Sequence, residues 1–304
     1  MATTKALALS GAIMMAASPA VARGPLETRC QPDAVRVGPV CVDRYEASVW
    51  DVPPTDGALL AKVRSGRATL ADLTAAGAAQ LGPVATDSCG AAHISYGAGF
   101  PVTGNWTKPL YAVSVPGVLP STCISWYQAE QACRLSGKRL LTNEEWQGAA
   151  AGTPDPGDAD DNATTCATSS PFATPTGSRS ACVSNWGVHD MVGNVWEWVA
   201  DWTPLAQGCA YYGDQFGNDL TCFGPSADAT PQATPDVAPA NPSGHRLSGA
   251  TGKAADIIAV GPNAPAAIIR GGNFAVGGRN GVFAIYGGAV TYNVSRSTGF
   301  RCAR

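Results

Sequence analysis

Thirty-five glycines and 23 prolines stand among the 304 residues of this chain, and no other feature limits its fold as much. Gly relaxes regular backbone and Pro breaks it, so turns and loops are favoured over long helices. Coiled coils and helical bundles are poor solutions for such a sequence. Apolar residues still make up 45%, enough for a sizeable core, while charged residues are only 14%, against roughly 25% in an average globular protein. A loop-rich domain has many backbone polar groups outside ladders and needs further restraints.

Ten cysteines supply one such restraint: Cys30, Cys41, Cys89, Cys123, Cys133, Cys166, Cys182, Cys209, Cys222 and Cys302. An even number with no Cys-x-x-Cys pair reads as disulfides in an exported protein. The first residues agree with that address. Lys5 precedes an apolar stretch from Ala6 to Ala17, and Ala20-Val21-Ala22 fits a small-x-small cleavage site. We therefore expect a signal peptide at 1–22 and one domain at 23–304, located in the periplasm, at the cell surface or in the medium. The apolar run is short for a membrane span and no second one follows, so no integral membrane segment is expected after cleavage. His93, His189 and His245 are too scattered for a Cys/His zinc site. A net charge of −3 with no dense Lys/Arg run gives nucleic acid and anionic lipid nothing to hold.

Local signals place a few elements. Val40 to Tyr45 reads as a strand, and the Ala/Leu-rich stretch from Gly57 to Leu81 as one or two short helices. Ser125 and Gln128 have the spacing of a capping box, and Gly137 stops the helix they begin. Thr142 and Glu145 repeat the box ahead of a second helix through Trp146 to Ala150. Asp155 to Thr176 is a polar loop, and Thr203 to Pro265 a long Gly/Pro/Ala-rich insertion.

Four segments in order carry a family resemblance: Asp43-Arg44-Tyr45-Glu46-Ala47-Ser48; Ser125-Trp126 through Gly137-Lys138-Arg139-Leu140 to Glu145-Trp146; Gly193-Asn194-Val195-Trp196-Glu197-Trp198; and Arg270-Gly271-Gly272 with Gly299-Phe300-Arg301. Together the chain resembles the formylglycine-generating enzyme, or sulfatase-modifying factor, family. The resemblance implies an α+β, C-type-lectin-like fold: loop-rich, with a small twisted antiparallel sheet and two main helices.

It also implies structural calcium, held by Asp190, the Gly193 and Val195 carbonyls, and Glu197. Calcium takes six to eight oxygens from carboxylates and carbonyls, and these residues offer both kinds. The competing reading makes Trp196 and Trp198 core anchors and Glu197 a partner of nearby backbone. The family's bridge between the first helix and the C-terminal strand falls on Cys133 and Cys302. For the remaining cysteines, proximity suggests Cys30–Cys41, Cys166–Cys182 and Cys209–Cys222, leaving Cys89–Cys123; sequence does not fix such connectivity.

Catalysis in that family uses a cysteine pair shortly after Arg-Gly-Gly, and thiolates suit Cu(I). The corresponding places here are Val276 and Gly281, and no cysteine lies between Cys222 and Cys302. No copper is expected, and formylglycine formation is not. The segment from Gly271 to Gly299 also holds no Lys, Glu, Gln, Met or Trp. In this it resembles the variable proteins of diversity-generating retroelements, where adenine-directed mutation of Asn codons cannot produce those five. Tyr, Phe, Ser, Asn and Gly are apt for a contact surface, although an ordinary Gly-rich, β-prone segment would share much of this composition. The leading expectation is an exported protein that binds a protein or cell-surface ligand through Asn273, Phe274, Val276, Arg279, Asn280, Ile285, Tyr286, Tyr292, Asn293 and Arg296. The alternative is an oxidative maturation enzyme, of the formylglycine-generating or pyoverdine-maturation type, acting on an exported substrate.

Overall fold

The computed structural model describes residues 29–82, 89, 96–102, 104–205, 221–222 and 265–304. The expected signal peptide, Cys209 and most of the insertion lie outside them. In chain order the elements are β1 (Ala34–Val37), β2 (Val40–Asp43), β3 (Ser48–Asp51), α1 (Gly57–Arg64), α2 (Leu70–Ala75), β4 (Ala79–Leu81) and β5 (Tyr111–Val113). There follow α3 (Trp126–Leu135), β6 (Arg139–Leu140), α4 (Asn143–Ala150), β7 (Trp196–Pro204), β8 (Thr221–Cys222), β9 (Pro265–Arg270), β10 (Ile285–Val290), β11 (Thr298–Phe300) and β12 (Cys302–Ala303). The architecture is the α+β, loop-rich one expected. It departs from a single antiparallel sheet in having three: β1-β2-β12-β6, β11-β7-β9-β10-β8 and β4-β3-β5. Two edge pairings, β11 with β7 and β10 with β8, are parallel.

Local chemistry explains where the helices begin. The Ser125 hydroxyl accepts from the Gln128 N–H, and the Gln128 side chain accepts from the Ser125 N–H. Thr142 and Glu145 make the same exchange ahead of α4. Each box satisfies donors that a helix N-terminus leaves open. Helix α3 stops at Ser136, followed by Gly137 at φ +71°, the left-handed backbone typical of a helix end. Helices α1 and α2 lie where the Ala/Leu-rich stretch predicts them.

The main core sits between α3 and the β7–β9–β11 sheet, around Ile124, Ala129, Leu140, Trp198 and Phe300. Trp198 is fully buried and spends its indole N–H on the Ile124 carbonyl at 3.0 Å, as a buried ring nitrogen requires. Four disulfides tie loops to this frame: Cys30–Cys41, Cys89–Cys123, Cys133–Cys302 and Cys166–Cys182. The third joins α3 to β12, as the family resemblance implies. Among the described residues no helix is long and apolar enough to cross a membrane.

A buried ionic group fastens the N-terminal hairpin to the chain's last residues. The Lys138 ammonium, with no exposed side-chain surface, lies 2.6 Å from Asp33 and 2.7 Å from Asp43. Arg304 adds a 2.9 Å contact to Asp33. Burial pushes the Asp43 carboxyl up to about 6 against the pull of Lys138. Burial also opposes ionisation of Asp33, yet Lys138 and Arg304 outweigh it and hold that carboxyl below its ordinary value.

Candidate functional site

The turn leading into β7 is wound tightly, with Asp190 at φ +59°, Gly193 at +76° and Asn194 at +53°. Its backbone meets both neighbouring loops. Gly193 N–H donates to the Gly271 carbonyl, Asn194 N–H to Ala167, and Phe274 N–H to Asn194. The Arg-Gly-Gly motif is thus latched onto the Gly-Asn-Val-Trp-Glu-Trp turn. A side chain on Gly271 would come within 2.9 Å of the Met191 carbonyl and 3.0 Å of the Trp146 ring, which is why this latch needs glycine.

Beneath the turn three carboxylates surround one guanidinium. Glu46 accepts from the Asn194 side-chain amide and the Val195 N–H. Asp190 accepts from the Gly177 N–H at 2.7 Å. Glu197 takes Nε and Nη2 of Arg301 and, at 2.7 Å, the Trp146 indole N–H. Arg301 also donates to the carbonyls of Asp43 and His189. Every one of these charged side chains is at most 2% exposed. Burial first, then the neighbouring carboxylates, push Glu46 well above its ordinary range. Burial raises Asp190 to about 6.

Asp190 and Glu197 lie in one buried group with Glu46, and its three carboxylates face a single Arg301. The oxygens of this group are not equally disposed. The Glu197 carboxylate has about four lone-pair sites and accepts four N–H contacts from Arg301 and Trp146. Among the described residues no three His, Cys, Asp or Glu side chains stand close enough to hold a metal by themselves, so backbone oxygens would have to complete any shell.

The segment expected to meet a ligand divides by exposure. Asn273, Phe274 and Asn280 are buried, which corrects their assignment as contact residues. They serve the loop instead. Asn273 caps the Ala275 N–H, and Asn280 donates to the Thr168 and Gly277 carbonyls. The Phe274 ring lies under the Arg296 guanidinium at 5.1 Å. Arg279 is exposed, and Val276, Ile285, Tyr286, Tyr292, Asn293 and Arg296 are half-buried. Gly277 N–H donates to Thr168 and Gly278 N–H to Asp158, so the polar loop at 155–176 backs this surface. Val276 and Gly281, where a copper-binding thiol pair would stand, offer no metal-ligating side chain; the residues do not fit copper.

Sequence reasoning missed several surface aromatics. Phe283, just before β10, is 44% exposed and Trp202 46%. Trp202 meets Trp126 at 5.2 Å and Tyr127 at 6.0 Å between ring centroids, both edge-on. The Tyr127 hydroxyl is bonded to Thr291 at 3.1 Å, which places this aromatic group beside the C-terminal half of the segment. Trp196, Trp198 and Trp202 share a parity that predicts one buried face. Trp198 pairs with Ile269 and Trp202 with Ala267, so the irregularity between them keeps that parity, and Trp202 is exposed although it stays in line with the buried pair.

A family model described as the sulfatase-modifying factor enzyme 1-like domain matches residues 104–304. No curated protein matches the chain. Among solved structures, the major tropism determinant I1 variant is 22% identical over 59% of this chain and 37% of its own, with a TM-score of 0.34. PvdO from Pseudomonas aeruginosa is 19% identical over 87% of this chain and 80% of its own, with a TM-score of 0.36. The chain thus spans 37% of the length of the tropism determinant it matches. Similarities of this size identify neither an activity nor a partner.

Proposed function

Because this chain belongs to the sulfatase-modifying factor enzyme 1-like family, we propose that it uses the family scaffold for binding, as an exported protein whose Val276–Arg296 surface contacts a protein or cell-surface ligand. The observation that carries this reading is the replacement of the family's reactive thiol pair by Val276 and Gly281 in a segment with accessible Arg279, Tyr286, Tyr292 and Arg296. Four disulfides support an exported address. A loop surface mounted on a rigid, cross-linked frame is where binding residues are usually carried. Mixed Tyr, Asn and Arg side chains supply rigid contact area and adaptable hydrogen bonds.

Retroelement diversification makes the reading sharper. Sequencing the 3′ end of this gene from related isolates should show substitutions concentrated at adenines in the codons for Val276 to Arg296. A nearby reverse transcriptase and template copy should accompany them. An invariant segment would count against the proposal, and oxygen consumption with an exported peptide substrate would replace it with an oxidative activity.

The same reading gives calcium a structural part. Asp190 and the Gly193 and Val195 carbonyls would hold the ion and Glu197 would balance its charge. When bound, the ion supplies fixed positive charge that steadies the latch beneath the contact segment.

A further inference from the structure

Three Asn-x-Ser/Thr tripeptides with x other than Pro occur in the chain: Asn105-Trp106-Thr107, Asn162-Ala163-Thr164 and Asn293-Val294-Ser295. Such a tripeptide is an acceptor for N-linked glycan when it lies on the accessible surface of an exported protein. Accessibility separates the three.

Asn293 is half-buried and Val294 belongs to the core. Asn105 and Thr107 are exposed, but the residue between them is anchored. Trp106 stacks on Phe100 at 5.3 Å and donates its indole N–H to Pro101. The Thr107 N–H donates to Gly99, so this tripeptide is pinned against the domain.

Asn162 stands differently. Asp161, Asn162, Ala163 and Thr164 form an unbroken exposed run. The bonds that shape it are mostly internal, because the Asp161 carboxylate accepts from the N–H groups of Ala163, Thr164 and Thr165 and from the Thr164 hydroxyl at 2.6 Å. Asn162 has φ +54°, a conformation that Asn tolerates better than most residues. Its N–H donates to Asp160 and its Oδ1 accepts from the Ser170 hydroxyl. Neither bond uses Nδ2. Substitution at that nitrogen would leave Oδ1 free to go on accepting from Ser170, so the turn can survive modification.

We propose that Asn162 is an N-glycosylation site. Four disulfides point to an oxidising, exported environment for the folded chain. In the transfer, Nδ2 attacks the anomeric carbon of an oligosaccharide carried on a lipid diphosphate. The N–C bond forms and the anomeric C–O bond breaks. The diphosphate leaves with the bonding pair, and the amide gives up one proton. Thr164 completes the acceptor motif. A glycan on Asn162 would project from the polar loop whose Thr168 carbonyl receives the Gly277 N–H, so it borders the contact segment without occupying it.

The test is mass spectrometry of peptides from the full chain purified from its natural exporting host. The peptide containing Asn162 should carry the added mass of at least one sugar. That mass should vanish in Thr164→Ala and persist in Thr164→Ser, with melting temperature checked for both. An unmodified Asn162 peptide in the wild-type protein overturns the proposal. So does an added mass that survives Thr164→Ala, or a glycan on Asn105 or Asn293 in place of Asn162. A ligand-binding result bears only on the contact segment and leaves this site to be judged by its own measurement.

Discussion

Gly193 has φ +76°, and a Cβ there would lie 2.2 Å from the Ala167 carbonyl. Left-handed backbone costs a non-glycine residue about 1–3 kcal/mol, and the overlap adds to that cost. Gly193→Ala should therefore lose at least ~2 kcal/mol, read as a lower urea midpoint with unchanged slope; an unaltered midpoint would mean that the loop at 167 yields freely. Asp43 makes a second prediction at this scale. Its carboxyl lies near 6 in the folded chain against an ordinary value of 3.8, so the folded state binds the extra proton between those values. Stability from this group is present at low pH and is lost as pH rises from about 4 to about 6. Asp190, also raised to about 6, slopes the same way. Asp33 has the opposite sign and acts below its ordinary value of 3.8. Asp43→Asn should accordingly flatten, without abolishing, the fall in unfolding free energy over that window; an unchanged slope would show that Asp43 does not carry a raised carboxyl. The first of the four motif segments owes its importance to Asp43 and Glu46. Asp43 faces Lys138, and Glu46 faces Asn194, partnerships across 95 and 148 positions that spacing along the chain does not reveal.

Helices α3 and α4 were legible because their start signals are local: each hydroxyl and its partner stand three residues apart. Strands were harder. Several are only two to four residues long, such as β6, β11 and β12, too short for alternation to register. Their pairing also joins distant pieces, with β12 between β2 and β6. The Cys133–Cys302 bridge spans 169 positions, against 11 for Cys30–Cys41. In the chain-entropy account the longer closure restricts the unfolded ensemble more, by about 2 kcal/mol between these two. Replacing Cys133 and Cys302 together by Ala should thus lower stability more than replacing Cys30 and Cys41, as measured by urea unfolding of each double variant. Equal losses would place the bridge's effect in native packing near α3 instead. Trp202 marks the opposite limit: nothing in its local sequence tells that this residue of β7 is 46% exposed.

Across the whole molecule the carboxylate–Arg301 group joins the first motif, α4, β7 and the C-terminal strands, so an ion there would be felt as global stability. Anything bound only by the folded state raises the melting temperature. Added calcium should raise it, a chelator should lower it, and Asp190→Ala should remove the difference. Identical melting with and without chelator would leave Arg301 as the sole counter-charge. The contact segment shows the same dependence on the assembled fold. Composition marked residues 273 to 298 as a surface, yet Asn273, Phe274 and Asn280 are buried: Asn273 accepts from the Ala275 N–H, Asn280 donates to Thr168, and Phe274 sits beneath Arg296. By itself the sequence determined the loop-rich α+β class, the two boxed helices, the absence of reactive thiols after Arg-Gly-Gly and the family pattern. All of these depend on residue identity or on neighbours a few positions apart. Only the tertiary structure decided which side chains of the segment meet solvent, how Arg301 shares the buried carboxylates and where the aromatic group gathers, because burial and charge pairing are set by residues that folding brings together from opposite ends of the chain.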